Sequence, residues 1–96
     1  MKVSINHALS PDRVVTILKE NLDSTLPSEV SNFSPRWDGH SATFTFTASG
    51  QSISGNVQVN QSQIVIVINL PWLASLVIDE EAISTGIRRK VEALLS

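Results

Sequence analysis

Cysteine is absent from this 96-residue chain, which excludes disulfides, thiolate nucleophiles and cysteine-ligated zinc. Charge is also scarce, because only 17% of the residues are Asp, Glu, Lys or Arg and the net charge is −2. The basic residues cluster only at Arg88, Arg89 and Lys90. Neutralising a nucleic-acid backbone requires a longer basic stripe, so we do not expect a nucleic-acid partner.

Long hydrophobic runs are missing as well. The segment from Met1 to His7 is interrupted by polar residues from Lys2 onward and has no signal-peptide core. The most apolar stretch, Ile64 to Ile78, is shorter than the roughly 20 residues that a membrane-spanning helix needs, and it contains Asn69 and Pro71. With 42% apolar residues, the sequence predicts one globular domain over residues 1–96, cytoplasmic and without a transmembrane segment.

The chain begins with a predicted strand and helix. Val3 and Ile5 alternate with polar neighbours, which is typical of a strand with one buried face. Ser10 is a suitable N-cap and Pro11 fits the first position of a helix, where no N–H is needed. The apolar positions that follow at a spacing of four are Val14, Leu18 and Leu22.

Pro27 ends the helical segment, and four more strands are predicted after it, joined as an antiparallel meander. The test of a meander is whether two-residue turns bring apolar residues to a common face. The turns that satisfy it are Asp38-Gly39, Ser49-Gly50 and Asn60-Gln61, and they pair Phe33 with Phe44, Phe46 with Ile53, Phe44 with Gly55, and Val57 with Ile64.

A second helix is predicted from about Asp79 to the end of the chain. Its apolar stripe is formed by Ile83, Ile87, Val91 and Leu94, and Gly86 on the same side would allow a close approach to the sheet. The order is therefore strand, helix, four-stranded antiparallel meander, helix. Segregated helices and strands of this kind predict an α+β domain with both helices on one face of the sheet.

Catalytic and metal-binding patterns are weak. His7 and His40 lie in different segments without a metal-ligand spacing. Asp38 and His40 have the types of a base and its orienting acid, but Asp38-Gly39 is already explained as a turn. Ser49 lacks the Gly-x-Ser-x-Gly setting of a hydrolase nucleophile. We therefore expect no catalytic residues, no metal and no cofactor.

Three surface features are candidates for binding. The predicted outer face of the sheet is neutral and partly apolar, with Thr43, Thr45, Thr47, Val65 and Val67, which is typical of a solvated face or of an association face. Trp72 after Pro71 is either a buried plug or an exposed anchor. Arg88, Arg89 and Lys90 complement the helix dipole or contact an anionic surface.

With these residues placed, the chain resembles the bacterial polyhydroxyalkanoic acid system family, also called granule-region proteins. The resemblance runs nearly end to end, through Ile5 to Ser10, Trp37 to Gly39, Ala42 to Phe44, Ser54-Gly55, Leu70 to Leu73, and Ile87 to Leu95. It implies an association with the storage polyester and carries over no catalytic residues. The acidic Ile78 to Glu81 departs from the lysines that the family often has there. The architecture also looks like a reduced helix-grip fold, which places the first strand beside Ile64 to Leu70.

Three functional hypotheses follow. The first is a non-enzymatic accessory protein that binds a polyhydroxyalkanoate granule or a granule protein through the threonine face and Trp72. The second is a carrier of a small hydroxyacyl ligand between the sheet and the last helix, with Gly55 and Gly86 opening a cleft. The third is a homodimeric interaction module with Val65 and Val67 in its interface and no polyester contact. An enzyme ranks last, because no reactive groups converge at a recognisable spacing.

Overall fold

The computed structural model describes residues 1–21, 30–48, 50–69 and 80–95. The secondary-structure elements within these ranges are β1 (Lys2–Asn6), α1 (Pro11–Asn21), β2 (Val30–Asp38), β3 (Ser41–Ala48), β4 (Gln51–Val59), β5 (Gln63–Asn69) and α2 (Glu80–Leu95). The predicted roles of Leu22, Pro27, Ser49, Trp72 and Asp79 fall outside the described residues. In the described part of the chain, no helix combines the length and the apolar character needed to cross a membrane.

The five strands form one antiparallel sheet in the order β1-β5-β4-β3-β2. The predicted α+β class is confirmed, and so is the placement of β1 beside β5. Main-chain hydrogen bonds close both ends of the β1–β5 pair. The terminal amine of Met1 donates to the Ile68 carbonyl at 2.9 Å, and the His7 N–H donates to the Ser62 carbonyl at 2.9 Å.

The strand registers confirm one of the three predicted turns. Phe46 pairs with Ile53 and Phe44 with Gly55, as the Ser49-Gly50 turn requires. The other two turns were predicted one residue too early, because the observed loops are Gly39-His40 and Gln61-Ser62. Val57 therefore lies opposite Ile66 instead of Ile64. A register shift of two residues keeps each side chain on its face, so the predicted inner face survives the error.

The β2–β3 hairpin explains why its turn is displaced. Gly39 has a φ of +62° and occupies the first loop position, where a type II′ turn requires glycine. The loop is held by two hydrogen bonds: the Ser41 hydroxyl donates to the Asp38 carbonyl at 3.1 Å, and the Val59 N–H of β4 donates to the His40 carbonyl at 2.8 Å. The neighbouring strand thus selects a loop that the dipeptide Asp-Gly alone did not indicate.

A β-bulge interrupts β2 between Ser31 and Ser34, where Asn32 adopts a φ of +55°. Because of the displaced turn, Pro35 lies opposite Phe44, and the predicted direct pairing of Phe33 with Phe44 is wrong. The two rings still meet, with centroids 5.7 Å apart. The bulge changes the parity of the strand, because Val30 pairs with the buried Ala48 before it and Trp37 pairs with the buried Ala42 after it.

The hydrophobic core lies between the inner face of the sheet and the two helices. Val3, Ile5 and Ile64 are almost completely buried in the sheet, and α1 contributes Val14, Val15 and Leu18. The helix begins at the predicted N-cap, because the Arg13 N–H donates to the Ser10 hydroxyl at 3.3 Å. From α2 the core receives Val91, with Ile87 and Leu95 packed at its margin. Burial of this apolar area is the main stabilising term.

Two glycines have opposite environments. Gly55 lies under the Phe44 ring, where an ideal Cβ would approach Phe44 Cζ to 2.5 Å and would also contact the Val67 carbonyl oxygen. Gly86 has no described atom within 4 Å of such a Cβ. The prediction that Gly86 permits a close approach to the sheet is therefore wrong within the described residues, and the close approach occurs at Gly55 instead.

Candidate functional site

The outer face of the sheet is the candidate site, because both helices pack on the inner face. Every second strand residue points outward, and the registers align these residues in rows across the sheet. One row consists of Lys2, Val67, Asn56, Thr43 and Arg36; the next consists of Ser4, Val65, Gln58, Ser41 and Asp38. In each row the valine of β5 is flanked by polar residues of β1 and β4.

Charge on this face is confined to its two edges. Lys2 stands on β1 at one edge, and Arg36 and Asp38 stand on β2 at the other. Between the edges, β3, β4 and β5 contain no Asp, Glu, Lys or Arg. In the sequence the same uncharged run extends from Gly39 to Ile78. The three adjacent central strands of the sheet are therefore the part of the fold without charged residues.

The three predicted threonines lie together on β3 but differ in exposure. Thr43 and Thr45 are exposed, and Thr45 faces Ser34 on one side and Ser54 on the other. Thr47 is half-buried beside the bulge, where the Asn32 side-chain amide donates to its hydroxyl at 3.4 Å. Thr43 and Thr45 are therefore the threonines that an approaching surface meets first.

Val65 and Val67 lie on the same outer face as the threonines, as predicted, and both are half-buried. Asn56 and Gln58 of β4 stand between these valines and the β3 row, and both are exposed. The long side chains of Lys2 and Gln58 can cover part of the valine surface with their methylene groups. The middle of the face is consequently a mixture of methyl groups, hydroxyls and amides without a formal charge.

The remaining predicted candidates do not join this face within the described residues. Trp72 lies outside the described residues, so its role as plug or anchor stays a prediction. Arg88, Arg89 and Lys90 are all exposed on α2. Arg88 borders a cleft beside β1, whereas Arg89 lies on another side of the helix beside Thr85 and Gly86. Successive helix residues point about 100° apart, so the cluster is spread around α2.

Sequence reasoning missed the cleft between β1 and α2. It has a volume of about 540 Å³ and is lined by residues 4–8 together with Arg88, Glu92 and Leu95. The residues of its two sides are at least 80 positions apart in the chain, so only the packing of α2 beside the first strand brings them together. No local pattern could have indicated it; the available signal was the placement of β1 at the edge of the sheet.

The two histidines have structural contacts. His7 Nε2 donates to the Asn60 carbonyl at 2.8 Å and connects the end of β1 to the β4–β5 turn, while its Nδ1 is buried and has no hydrogen-bond partner in the described part of the chain. His40 Nε2 lies 2.5 Å from Asp12 Oδ1 of α1, so its acidic neighbour is Asp12 and not the suspected Asp38. Among the described residues, no three His, Asp or Glu side chains are grouped closely enough to hold a metal ion.

The hypothesis of a hydroxyacyl carrier required Gly55 to open a cleft between the sheet and the last helix. The Phe44 ring occupies the space over Gly55, and the Phe46 ring lies 6.0 Å from Phe44 between centroids. This part of the inner face is therefore filled with protein side chains. The observed geometry does not favour a ligand site there.

Comparison with known proteins gives one family. The family described as "Putative polyhydroxyalkanoic acid system protein" matches residues 1–95 of the chain. None of the curated proteins compared with the chain is significantly similar to it. The family match covers β1 to α2, which includes the uncharged outer face and the cleft beside β1. The chain therefore belongs to the polyhydroxyalkanoic acid system family.

Proposed function

We propose that this protein is a non-enzymatic accessory protein of the polyhydroxyalkanoate storage system, and that its outer sheet face binds the surface of the polyester granule. Membership of the family supports the association with the storage system. The observation that carries the binding proposal is the absence of charge from all three central strands, β3, β4 and β5. In this proposal the protein works in the cytoplasm, at the granule.

A polyester surface and this face have complementary chemistry. Ester oxygens accept hydrogen bonds, and the polymer offers no donors in return. The hydroxyls of Thr43 and Thr45 and the amides of Asn56 and Gln58 supply donors. Val65 and Val67 add apolar contact, and the methyl groups of the threonines do the same.

The lack of charge matters because adsorption removes water from the face. Moving an ion out of water into a low-dielectric contact costs several kcal/mol unless a counter-charge pairs with it. A neutral hydroxyl or amide costs much less, and a hydrogen bond to the ester offsets that cost. A sheet face without charges is therefore suited to adsorption on polyester, whereas the charged helices are suited to water.

Co-sedimentation with protein-stripped polyhydroxyalkanoate granules tests the proposal, with neutral liposomes as the control surface. We expect the purified protein to pellet with granules and much less with liposomes. The variant Gln58→Glu should weaken granule binding at least tenfold, because about 1.4 kcal/mol is enough for that factor and a desolvated carboxylate costs more. Its neighbours Ser41 and Val65 provide no counter-charge.

A matched control separates the face from the rest of the surface. Gln61→Glu makes the same chemical change at the exposed β4–β5 turn, beyond the end of the face, and should bind within about twofold of the original protein. Gln58→Lys should lose binding like Gln58→Glu, since desolvation penalises both signs. Equal binding by all of these folded variants would refute the assignment of the face, and equal pelleting with granules and liposomes would refute selectivity for polyester.

Two parts of the hypothesis can be tested in the same assay. Trp72→Ala is expected to weaken granule binding if the indole anchors the protein, while the fold, followed by circular dichroism, is retained. A homodimer through Val65 and Val67 predicts instead that the face is unavailable at high protein concentration. Granule binding that falls as the protein self-associates would favour that interface over the polyester.

A further inference from the structure

The free edge of β1 is the second distinctive surface of the molecule. Among the described residues, β1 is the last strand at one side of the sheet and has β5 as its only strand neighbour. Met1 and Ile68 exchange hydrogen bonds in both directions, at 2.9 and 2.8 Å. In an antiparallel ladder such pairs alternate, so Val3 and Ile5 point their main-chain groups to β5. The main-chain groups of Lys2, Ser4 and Asn6 therefore point away from the sheet.

Within the described ranges, these outward groups have no main-chain partner. An unpaired edge of this kind is a template for another strand. The edge is also accessible, because the cleft of about 540 Å³ separates it from Arg88 and Glu92 of α2. A strand laid along β1 would therefore pair with its backbone.

The opposite edge of the sheet is protected against such pairing. β2 contains Pro35, which has no N–H to donate, and the bulge at Asn32 distorts the strand. Arg36 and Asp38 add exposed charges to that edge. β1 has none of these protective features apart from Lys2. The contrast indicates that β1 is the edge at which strand addition can occur.

We propose that β1 pairs with β1 of a second copy of this chain, forming a symmetric dimer with a continuous ten-stranded sheet. A two-fold axis at Ser4 sets Ser4 opposite Ser4 of the second copy and Lys2 opposite Asn6 of the second copy. Each facing pair then exchanges two hydrogen bonds through its outward main-chain groups. No like charges face each other in this register, because the single charged residue of β1 meets an amide.

The cleft residues of α2 carry one charge of each sign. Arg88 and Glu92 lie one helical turn apart on the side of α2 that faces β1. The cleft runs along residues 4–8, to one side of an axis at Ser4, so the two-fold axis places the cleft of the second copy towards the opposite end of the paired strands. This dimer leaves the outer face of both copies open and does not depend on polyester binding.

Sedimentation equilibrium from micromolar to millimolar protein tests the proposal, and Asn6 is the decisive position. Within its own chain Asn6 faces the uncharged Gln63 and shares the cleft with one residue of each charge, Arg88 and Glu92, so a charge of either sign there disturbs the monomer little. Asn6→Glu should tighten the dimer and Asn6→Lys should weaken it, each by about 2- to 30-fold, because two symmetric cross-strand pairs with Lys2 change together. Opposite shifts from one position identify the register.

Ser4→Pro provides a second test. It removes only the outward N–H, which β5 does not use, and a folded Ser4→Pro protein should be monomeric, whereas Ser4→Thr keeps the N–H and should dimerise. Amide hydrogen exchange adds a direct reading: the amides of Ser4 and Asn6 should become protected as concentration rises, and those of Gln58 and Gln61 should not. If Ser4→Pro fails to fold, the Asn6 pair still decides the question.

Three results would overturn the proposal. One is a protein that stays monomeric at every concentration. Another is a dimer whose dissociation constant is the same for the original chain and both Asn6 variants. The third is protection of the Ser4 and Asn6 amides only when a different protein is added, which would assign the edge to a strand of that protein. None of these results bears on binding of polyester by the outer face.

Discussion

Replacing Gly55 by alanine should destabilise the protein, although alanine is ordinarily the better residue in a folded chain. Gly55 lies on β4 directly opposite Phe44, whose ring covers it. The added methyl carbon would sit 2.5 Å from Phe44 Cζ and would also press on the Val67 main-chain oxygen of β5. The ring can move by rotation of its side chain, but the main-chain oxygen belongs to the strand ladder and cannot move independently.

The magnitude follows from two opposing terms. Overfilling a packed site costs about 1–3 kcal/mol, and the reduced freedom of the unfolded chain returns about 0.4–1 kcal/mol. Since a backbone atom is one of the two obstacles, we expect a net loss of about 2 kcal/mol in the free energy of unfolding. For a domain of this size each kcal/mol corresponds to about 4–8 °C in Tm, so Tm should fall by roughly 8–16 °C.

Gly86→Ala is the matched control. The same methyl group added in α2 meets no described atom within 4 Å, and alanine favours a helix over glycine by about 0.5–1 kcal/mol. Urea denaturation followed by circular dichroism should therefore show opposite shifts of the midpoint for the two variants. A Gly55→Ala protein as stable as the original would refute the close packing of Phe44 on Gly55. In a protein that already carries Phe44→Leu, Gly55→Ala should cost less free energy of unfolding than in the original protein. It should still cost some, because the Val67 oxygen remains.

Three further substitutions test the helix cap, the core and the contact between His40 and Asp12 by the same denaturation assay. Ser10→Ala should cost about 1 kcal/mol through loss of the bond to the Arg13 N–H, and Ser10→Asp should retain the cap; no loss for alanine would contradict the capping role. Ile64→Ala should cost about 2–5 kcal/mol, because Ile64 is completely buried in the central sheet; a smaller loss would place this strand outside the core. His40→Gln should change stability by less than about 1 kcal/mol, since its pair with Asp12 is exposed; a larger loss would mean that the pair fixes the hairpin to α1.

The sequence predicted the inner and outer faces better than it predicted the turns. Alternation along β4 and β5 fixed which side chains are buried, because a side-chain period of two tolerates a slip of two residues. The alternation did not indicate whether Asp38-Gly39 or Gly39-His40 forms the loop, because the position of the loop depends on a hydrogen bond from the Val59 N–H of a neighbouring strand. The bulge at Asn32 was not predicted either.

The candidate site was likewise predicted only in part. The sequence predicted that four residues share the outer face: Thr43, Thr45, Val65 and Val67. The registers place them there, because side chains alternate between the two faces and paired residues lie on the same face. The cleft that joins β1 to Arg88 and Glu92 was not predictable, because it depends on where α2 packs. The same holds for His40, whose contact is with a helix 28 positions away in sequence.

The central claim, that the outer face touches the polyester, can be measured directly because the chain has no cysteine of its own. An environment-sensitive fluorophore is attached to Thr45→Cys on the outer face or, as a matched control, to Thr16→Cys on the exposed side of α1. When stripped granules are added, we expect the emission of the probe at position 45 to shift to shorter wavelength and the probe at position 16 to remain unchanged. Equal shifts at both positions, or a shift only at position 16, would contradict the account.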